Sequence, residues 1–150
     1  MNIVFVCTGS INRSPAAAEI LTQLSGSLGK LTIQAQAISD YNNGKPPTTK
    51  VIRALDRAGY KTVMRHRSSP ITVESFNQAD LVICMTRKHK AELIRRYADA
   101  DKIKILTEFL GNEDGIRDPH GKTDVVFDEV ISEIDKCVMV VCSLLRKGKL

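Results

Sequence analysis

The chain has 150 residues, of which 43% are apolar and 26% are charged, and its net charge is +5. This is the composition of a soluble globular protein, and the length favours a single domain over residues 1–150. No apolar run approaches the ~20 residues of a membrane helix, and MNIVFV lacks a basic leader, so we expect neither a membrane span nor a signal peptide. Aromatic residues make up only 5%, which argues against nucleic-acid binding.

The first half of the chain predicts two strands and three helices. A buried strand at MNIVFV is followed by an Ala- and Leu-rich helix that Gly26 helps to end. The alternating segment LTIQAQAIS predicts an edge strand, and Thr48 or Thr49 is suited to cap the next helix, which Gly59 ends. In order, the predicted elements are a strand at 1–6, a helix at 16–28, a strand at 31–39, a helix from 49 to 58 and a short helix at 72–78, with an irregular segment at 60–70.

The second half predicts two more strands and two helices. ADLVICM is a continuous apolar run typical of a buried parallel strand. The predicted elements are a strand at 79–85, a helix at 87–98, a strand at 102–106, a loop from 110 to 121 and a helix from 123 to 145. Strands that alternate with helices predict an α/β fold, a three-layer sandwich with a four-stranded parallel sheet and helices on both faces. Such sheets bind ligands at the carboxyl ends of their strands.

The stretch CTGSINRSP, from Cys7 to Pro15, joins the first strand to the first helix. A tight loop that leads into a helix N-terminus turns several backbone N–H groups inward, where they bind anions. Arg13 adds a planar fork of donors that matches two phosphate oxygens. The same positive field favours the nucleophilic thiolate form of Cys7. Ser14 is placed to donate a hydrogen bond to that sulfur.

The spacing Cys-x5-Arg-Ser, close to the N-terminus, resembles the signature of the low-molecular-weight protein tyrosine phosphatases. Cys7, Gly9 and Pro15 match that family's loop, as do Arg13 and Ser14. Ser10 stands where the family has Asn, and Asn12 replaces a second Cys. The resemblance implies a nucleophilic cysteine and a loop that holds the phosphate, formed here by Thr8, Gly9, Ser10, Ile11, Asn12 and Arg13.

The resemblance also supplies a general acid, which the first loop lacks. It implies that Asp118, in the segment GIRDPHG, protonates the leaving group, with His120 standing where the family has an aromatic residue. It implies that Tyr41 forms a wall of the substrate cleft and that His66 braces the phosphate loop. Ser10 should make the loop less rigid than Asn would, because Asn tolerates a left-handed backbone better.

We therefore expect a metal-free and cofactor-free hydrolase that acts on phosphotyrosine-containing proteins through a cysteinyl-phosphate and is inhibited by inorganic phosphate or vanadate. The four cysteines have no metal-ligand spacing, and a thiolate nucleophile needs reducing surroundings, so we expect a cytoplasmic protein. A protein arginine phosphatase is the nearest alternative, although Ile11 favours an aryl ring. An arsenate reductase would need further redox cysteines, and Cys84 is the only cysteine near the expected region. A non-catalytic phosphate-binding module would need neither Cys7 nor Asp118.

Overall fold

The computed structural model describes residues 1–62 and 64–150, and in them strands alternate with helices along the chain. The strands are β1 (Asn2–Cys7), β2 (Thr32–Ala37), β3 (Leu81–Cys84) and β4 (Ile103–Ile105). The α-helices are α1 (Arg13–Ser25), α2 (Thr49–Arg57), α3 (Val73–Gln78), α4 (Arg87–Tyr97) and α5 (Asp124–Arg146). A 3₁₀ helix, Leu106–Leu110, follows β4.

The four strands form one parallel sheet in the order β2-β1-β3-β4. The central strand β1 pairs Cys7 with Ala37 on one side and Val6 with Cys84 on the other. Because all strands point the same way, the loops after β1 and β3 leave the sheet at the same end. The predicted parallel sheet is confirmed, and β2 lies at its edge as expected.

Alternate residues of β1 enter two different hydrophobic clusters, one on each face of the sheet. Ile3 and Phe5 pack in a cluster with buried side chains of α1, α2 and α5. Val4 and Val6 pack in a second cluster with Phe76 of α3 and Leu93 of α4. This two-residue period is what a pleated strand with both faces covered requires. The prediction of helices on both faces is confirmed.

The predicted boundary of the first helix was wrong by three residues at each end. Helix α1 begins at Arg13 rather than at 16, because Ala16 N already donates to Asn12 O at 3.2 Å. It ends at Ser25 rather than at residue 28, because the next residue, Gly26, adopts a positive φ of 50°. The early start matters, since the last residues of the predicted loop form the first turn of the helix.

The remaining elements differ from the predictions by one or two residues, apart from one omission. The 3₁₀ helix at Leu106–Leu110 was missed because its first turn is closed by a side chain: the carboxylate of Glu108 accepts a hydrogen bond from Ile105 N at 2.5 Å. The predicted irregular segment 60–70 is irregular in its described residues, and Val63 lies outside them. Helix α2 is capped by Thr48, one of the two predicted threonines. None of the described helices has the length and hydropathy that a bilayer crossing requires.

Candidate active site

The segment that joins β1 to α1, from the last residue of β1 to the second residue of α1 (residues 7–14), is held through its carbonyl groups, and we call it the phosphate loop. Five successive carbonyl oxygens accept hydrogen bonds: Thr8 from Ser39 N (3.0 Å), Gly9 from Ser68 Oγ (2.7 Å), Ser10 from His66 Nε2 (2.8 Å), Ile11 from Thr48 N (3.0 Å) and Asn12 from Ala16 N (3.2 Å). Within the described part of the chain, the N–H groups of residues 8–12 donate to no protein acceptor. These donors are therefore left for an anion.

A chain of hydrogen bonds leads from His66 to the sulfur of Cys7. His66 Nε2 must carry the hydrogen, because it lies 2.8 Å from the carbonyl oxygen of Ser10, which can only accept. It is also 3.1 Å from Ser10 Oγ, which lies 2.8 Å from Ser14 Oγ. Ser14 Oγ is 3.3 Å from Cys7 Sγ, and Ser14 N is 3.5 Å from the same sulfur. When Cys7 is a thiolate, which has no proton to give, the Ser14 hydroxyl donates to the sulfur.

His66 is suited to this role as a neutral group. Burial lowers the pKa of His66, and the charge of Arg67 acts in the same direction, whereas the bond to the Ser10 carbonyl opposes both. The predicted contact between His66 and the phosphate loop is present. Ser10 has a positive φ of 51°. Serine, which tolerates a left-handed backbone less well than asparagine, therefore occupies such a position here.

Arg13 connects the phosphate loop to the loop that carries Asp118. Its side chain is buried, and its Nη1 donates to Ile116 O at 2.8 Å. Its Nη2 lies 3.9 Å from Asp118 Oδ2. A buried guanidinium held by one carbonyl keeps its remaining donors for a phosphate. Thr86, the residue after Met85, caps α4 by accepting a hydrogen bond from His89 N at 3.2 Å.

The segment that carries Asp118, residues 111–123, lies between the 3₁₀ helix and α5, and we call it the acid loop. It is anchored at Ile116, whose N–H donates to Met85 O at 2.7 Å. Gly115 precedes this anchor at a φ of 79°, and a Cβ there would lie 2.8 Å from Met85 O. The side chain of Asp118 is 55% exposed, and its Oδ1 accepts from His120 N at 3.0 Å.

These two loops and the segment after β2 enclose a cleft of about 530 Å³. The predicted site residues that line it are Cys7, Thr8, Gly9, Ser10, Ile11, Asn12, Arg13, Tyr41, Asp118 and His120. Ser14 is the exception, because it is fully buried beneath the sulfur. Tyr41 stands 82% exposed, with Lys45 Nζ 5.1 Å from the centre of its ring.

Asn42, Thr48 and His89 contact the phosphate loop, and none of the three was predicted as a site residue. Asn42 lies so close to Gly9 that a Cβ added to Gly9 would be 2.4 Å from Nδ2 of Asn42. The hydroxyl of Thr48 donates to Asn12 Oδ1. His89 Nε2 lies 2.8 Å from Thr8 Oγ1. The one available signal was that His89 lies in the first turn of the helix that follows a buried strand, at the end of the sheet where ligands bind.

Comparison with known proteins gives the same assignment as this geometry. The family model described as "Low molecular weight phosphotyrosine protein phosphatase" matches residues 2–149. The chain belongs to this family. Among curated members, the protein-arginine-phosphatase of Bacillus subtilis (strain 168) is 28% identical and covers 99% of both chains. The low molecular weight phosphotyrosine protein phosphatase of Sus scrofa is 28% identical over 91% of this chain and 90% of its own.

A solved structure from the family relates the fold to the chemistry of its cysteine. It is a cysteine-to-serine variant of an arginine phosphatase with a phosphorylated active-site serine. It is 26% identical to the present chain, has a TM-score of 0.88, and the match covers 98% of this chain and 97% of that one. The family is one of cysteine-dependent phosphatases, and its fold is the one described above.

Proposed function

We propose that this chain hydrolyses phosphotyrosine in proteins through a cysteinyl-phosphate intermediate, without a metal or cofactor, and that residues 1–150 act as one phosphatase domain. The observation that carries the proposal is the convergence of three groups on one cleft. Cys7 and Arg13 come from the phosphate loop and Asp118 from the acid loop. A module that only bound phosphate would need neither the sulfur nor the carboxyl group.

In the first step, Cys7 Sγ attacks phosphorus, so that an S–P bond forms and the bond from phosphorus to the tyrosyl oxygen breaks. The N–H groups of residues 8–12 and the free donors of Arg13 stabilise the charge on the three remaining phosphoryl oxygens. Asp118 gives its proton to the departing phenolate. General-acid catalysis of this kind contributes typically ~10²–10⁴-fold to the rate.

In the second step, water attacks the phosphorus of the cysteinyl-phosphate. Asp118, now ionised, accepts a proton from the water, and the S–P bond breaks to release inorganic phosphate. The sulfur leaves as a thiolate, which the Ser14 hydroxyl at 3.3 Å stabilises by a hydrogen bond. Because the product is held by the same loop donors as the substrate, inorganic phosphate and vanadate should be competitive inhibitors.

The walls of the cleft support an aryl substrate. Ile11 and the exposed ring of Tyr41 both line it, and both offer apolar surface to a phosphotyrosine ring. Lys45 at the same rim suits acidic residues near the phosphotyrosine, in keeping with the chain's net charge of +5. A thiolate nucleophile of this kind is consistent with action in the cytoplasm, where thiols stay reduced.

Phosphoarginine is the second candidate substrate, because one relative that matches 99% of this chain is named a protein-arginine-phosphatase. Ile11 argues against it, since the guanidinium N–H groups of phosphoarginine favour a polar neighbour over an apolar one. The two substrates would use the same nucleophile and phosphate loop. The choice between them therefore depends on the walls of the cleft.

The test is turnover of a phosphotyrosine peptide and a phosphoarginine peptide of otherwise identical sequence, with and without a chelator. We expect the phosphotyrosine peptide to have the higher kcat/KM and the chelator to have no effect. Ile11→Thr and Ile11→Val form a matched pair, because they differ by one hydroxyl at nearly equal volume. Only Ile11→Thr should shift the preference towards phosphoarginine. A wild-type preference for phosphoarginine would replace the proposed substrate, and loss of activity with chelator would reject metal-free catalysis.

A further inference from the structure

His89 is a buried histidine that the chemistry described above does not use. It lies in the first turn of α4 and is 7% exposed. Its Nε2 lies 2.8 Å from Oγ1 of Thr8, the residue that directly follows the nucleophile. Its other ring nitrogen, Nδ1, is buried, and no described residue offers it a hydrogen-bond partner.

The unpartnered Nδ1 identifies the tautomer. A buried N–H without an acceptor is costlier and rarer than a buried acceptor that lacks a donor. The hydrogen therefore belongs on Nε2, which donates it to Thr8 Oγ1. Since that oxygen then acts as the acceptor, the hydroxyl proton of Thr8 remains free to point into the cleft that Thr8 lines.

The surroundings keep the ring uncharged. Burial lowers the pKa of His89 to about 4; the positive charge of Arg13 adds to this effect, whereas Asp118 opposes it. The backbone of α4 acts in the same direction, because a helix N-terminus disfavours a cation. An uncharged ring does not repel the phosphate-binding guanidinium of Arg13.

We propose that His89 is a positioning residue, whose neutral imidazole fixes the Thr8 hydroxyl so that it donates a hydrogen bond to the phosphoryl group. Thr8 is then held on two sides, because its carbonyl oxygen accepts from Ser39 N at 3.0 Å. His89 itself does not touch the substrate. The inference rests on the proposed phosphatase function and adds a donor to the site.

A double-mutant cycle tests the inference with an aryl phosphate as the substrate. Thr8→Val and His89→Leu should each lower kcat/KM about five- to ten-fold, the loss expected for one neutral hydrogen bond. The double variant should be no slower than the slower single one, because both changes remove the same interaction. His89→Gln, whose amide can also donate while uncharged, should recover most of the activity lost in His89→Leu. Lys88→Gln, an exposed neighbour on the same turn, should stay within about two-fold of wild type.

The cycle separates this inference from the proposed function. A wild-type chain that turns over no aryl phosphate would reject the proposed function and the inference with it. An active wild type whose double variant loses the product of the two single losses would overturn the inference alone. If His89→Leu fails to fold in thermal unfolding, Thr8→Val and Thr8→Ser carry the test. Equal activity in those two would overturn the inference, because only Thr8→Ser keeps the hydroxyl.

Discussion

The phosphate loop and the acid loop both contribute to the cleft, but they are held in opposite ways. In the phosphate loop every carbonyl from Thr8 to Asn12 has a donor, and Ser10, Asn12 and Arg13 are buried. The acid loop is anchored at Gly115 and Ile116, whereas Asp118 is largely exposed. The phosphate loop is therefore preorganised for an anion of fixed shape. The acid loop leaves its carboxyl group in solvent, where it can exchange a proton between the two steps.

The difference follows from what each loop has to do. The equatorial oxygens of a phosphoryl group take the same positions whatever the leaving group, so rigid donors are the better arrangement. A general acid has to reach leaving groups of differing size and then accept a proton from water. Changes at Cys7, Asp118, Gly115 and Asn12 should separate the contributions of the two loops.

Cys7→Ser should abolish turnover while leaving the phosphate loop able to bind anions. Loss of the nucleophile costs ~10⁴-fold or more in kcat, because the S–P bond of the covalent intermediate can no longer form. Vanadate or phosphate should still raise the melting temperature of the variant, since the loop donors are unchanged. The measurements are steady-state kinetics and thermal unfolding with and without the anion. Residual activity above about a hundredth of wild type would remove Cys7 from its proposed role.

Asp118→Asn should slow esters with poor leaving groups by ~10²–10⁴-fold and those with good leaving groups far less. Only a poor leaving group needs a proton at the moment the bond to phosphorus breaks. The measurement is the slope of log kcat/KM against leaving-group acidity for a series of aryl phosphates. A slope unchanged from wild type would move the acid to another group, with His120 the first to test. Anion binding by the phosphate loop should be unaffected.

The phosphate loop could be predicted from the sequence because its parts are contiguous. Cys7 and Ser14 are only seven positions apart in the sequence. The strand that ends at Cys7 and the helix that follows the loop are both evident from their composition. Asp118 needed the family resemblance, since an Asp-Pro pair alone usually indicates a turn. The partner of Arg13 could not be predicted, because Ile116 contributes a backbone carbonyl and its side chain carries no signal.

His89 could not be predicted for a different reason. It is 81 positions from Thr8 along the chain. The two meet because β3 pairs with β1 in a register that sets Val6 beside Cys84. Sequence patterning predicted that both strands exist, but it does not give strand order or register. The start of helix α1 was predicted three residues too late. Residues 13–15 belong to both the phosphate loop motif and the first turn of the helix, and their composition does not show where the helix begins.

Gly115→Ala should weaken the anchor of the acid loop more than Gly111→Ala does. Both glycines have φ near 80–90°, so alanine is strained at either position. At Gly115 the new Cβ would meet backbone, 2.8 Å from Met85 O, whereas at Gly111 no atom of the described residues beyond its chain neighbours lies within 4 Å. We expect the clash to cost about 1–3 kcal/mol beyond the shared strain.

The difference should appear in catalysis as well as in stability. Gly115→Ala should reduce kcat for poor leaving groups more than it weakens phosphate binding, since Asp118 is displaced with the loop whereas Arg13 loses at most its bond to Ile116 O. The measurements are chemical denaturation and the leaving-group series used for Asp118→Asn. Equal effects of the two alanine substitutions would show that the contact at Met85 O does not hold the acid loop in place.

The last comparison concerns oxidation of the phosphate loop, in which Asn12 replaces the family's second cysteine. Peroxide converts a thiolate to a sulfenic acid, which a nearby thiol traps as a disulfide and which otherwise proceeds to irreversible acids. Cys84 is not placed to act as that thiol, because it packs in the cluster on the opposite face of the sheet from Cys7. Burial also raises the pKa of Cys84 to about 12. Cys137 and Cys142 share the cluster of Cys7 but lie about 20 and about 27 Å along α5 from its first residue, Asp124, which follows the acid loop.

We therefore expect dithiothreitol to restore little activity after peroxide, and Asn12→Cys to improve the recovery. Asn12→Ser is the matched control, because it changes the same buried position and the same bond to Thr48 without adding a thiol. Inorganic phosphate should slow inactivation in all three proteins, since it covers the sulfur at the base of the cleft. Mass spectrometry after peroxide should find sulfinic and sulfonic acid on Cys7 in the wild type and a disulfide between positions 7 and 12 only in Asn12→Cys. Full recovery of the wild type with thiol, or a disulfide between Cys7 and Cys84, would contradict the separation of these cysteines by the sheet.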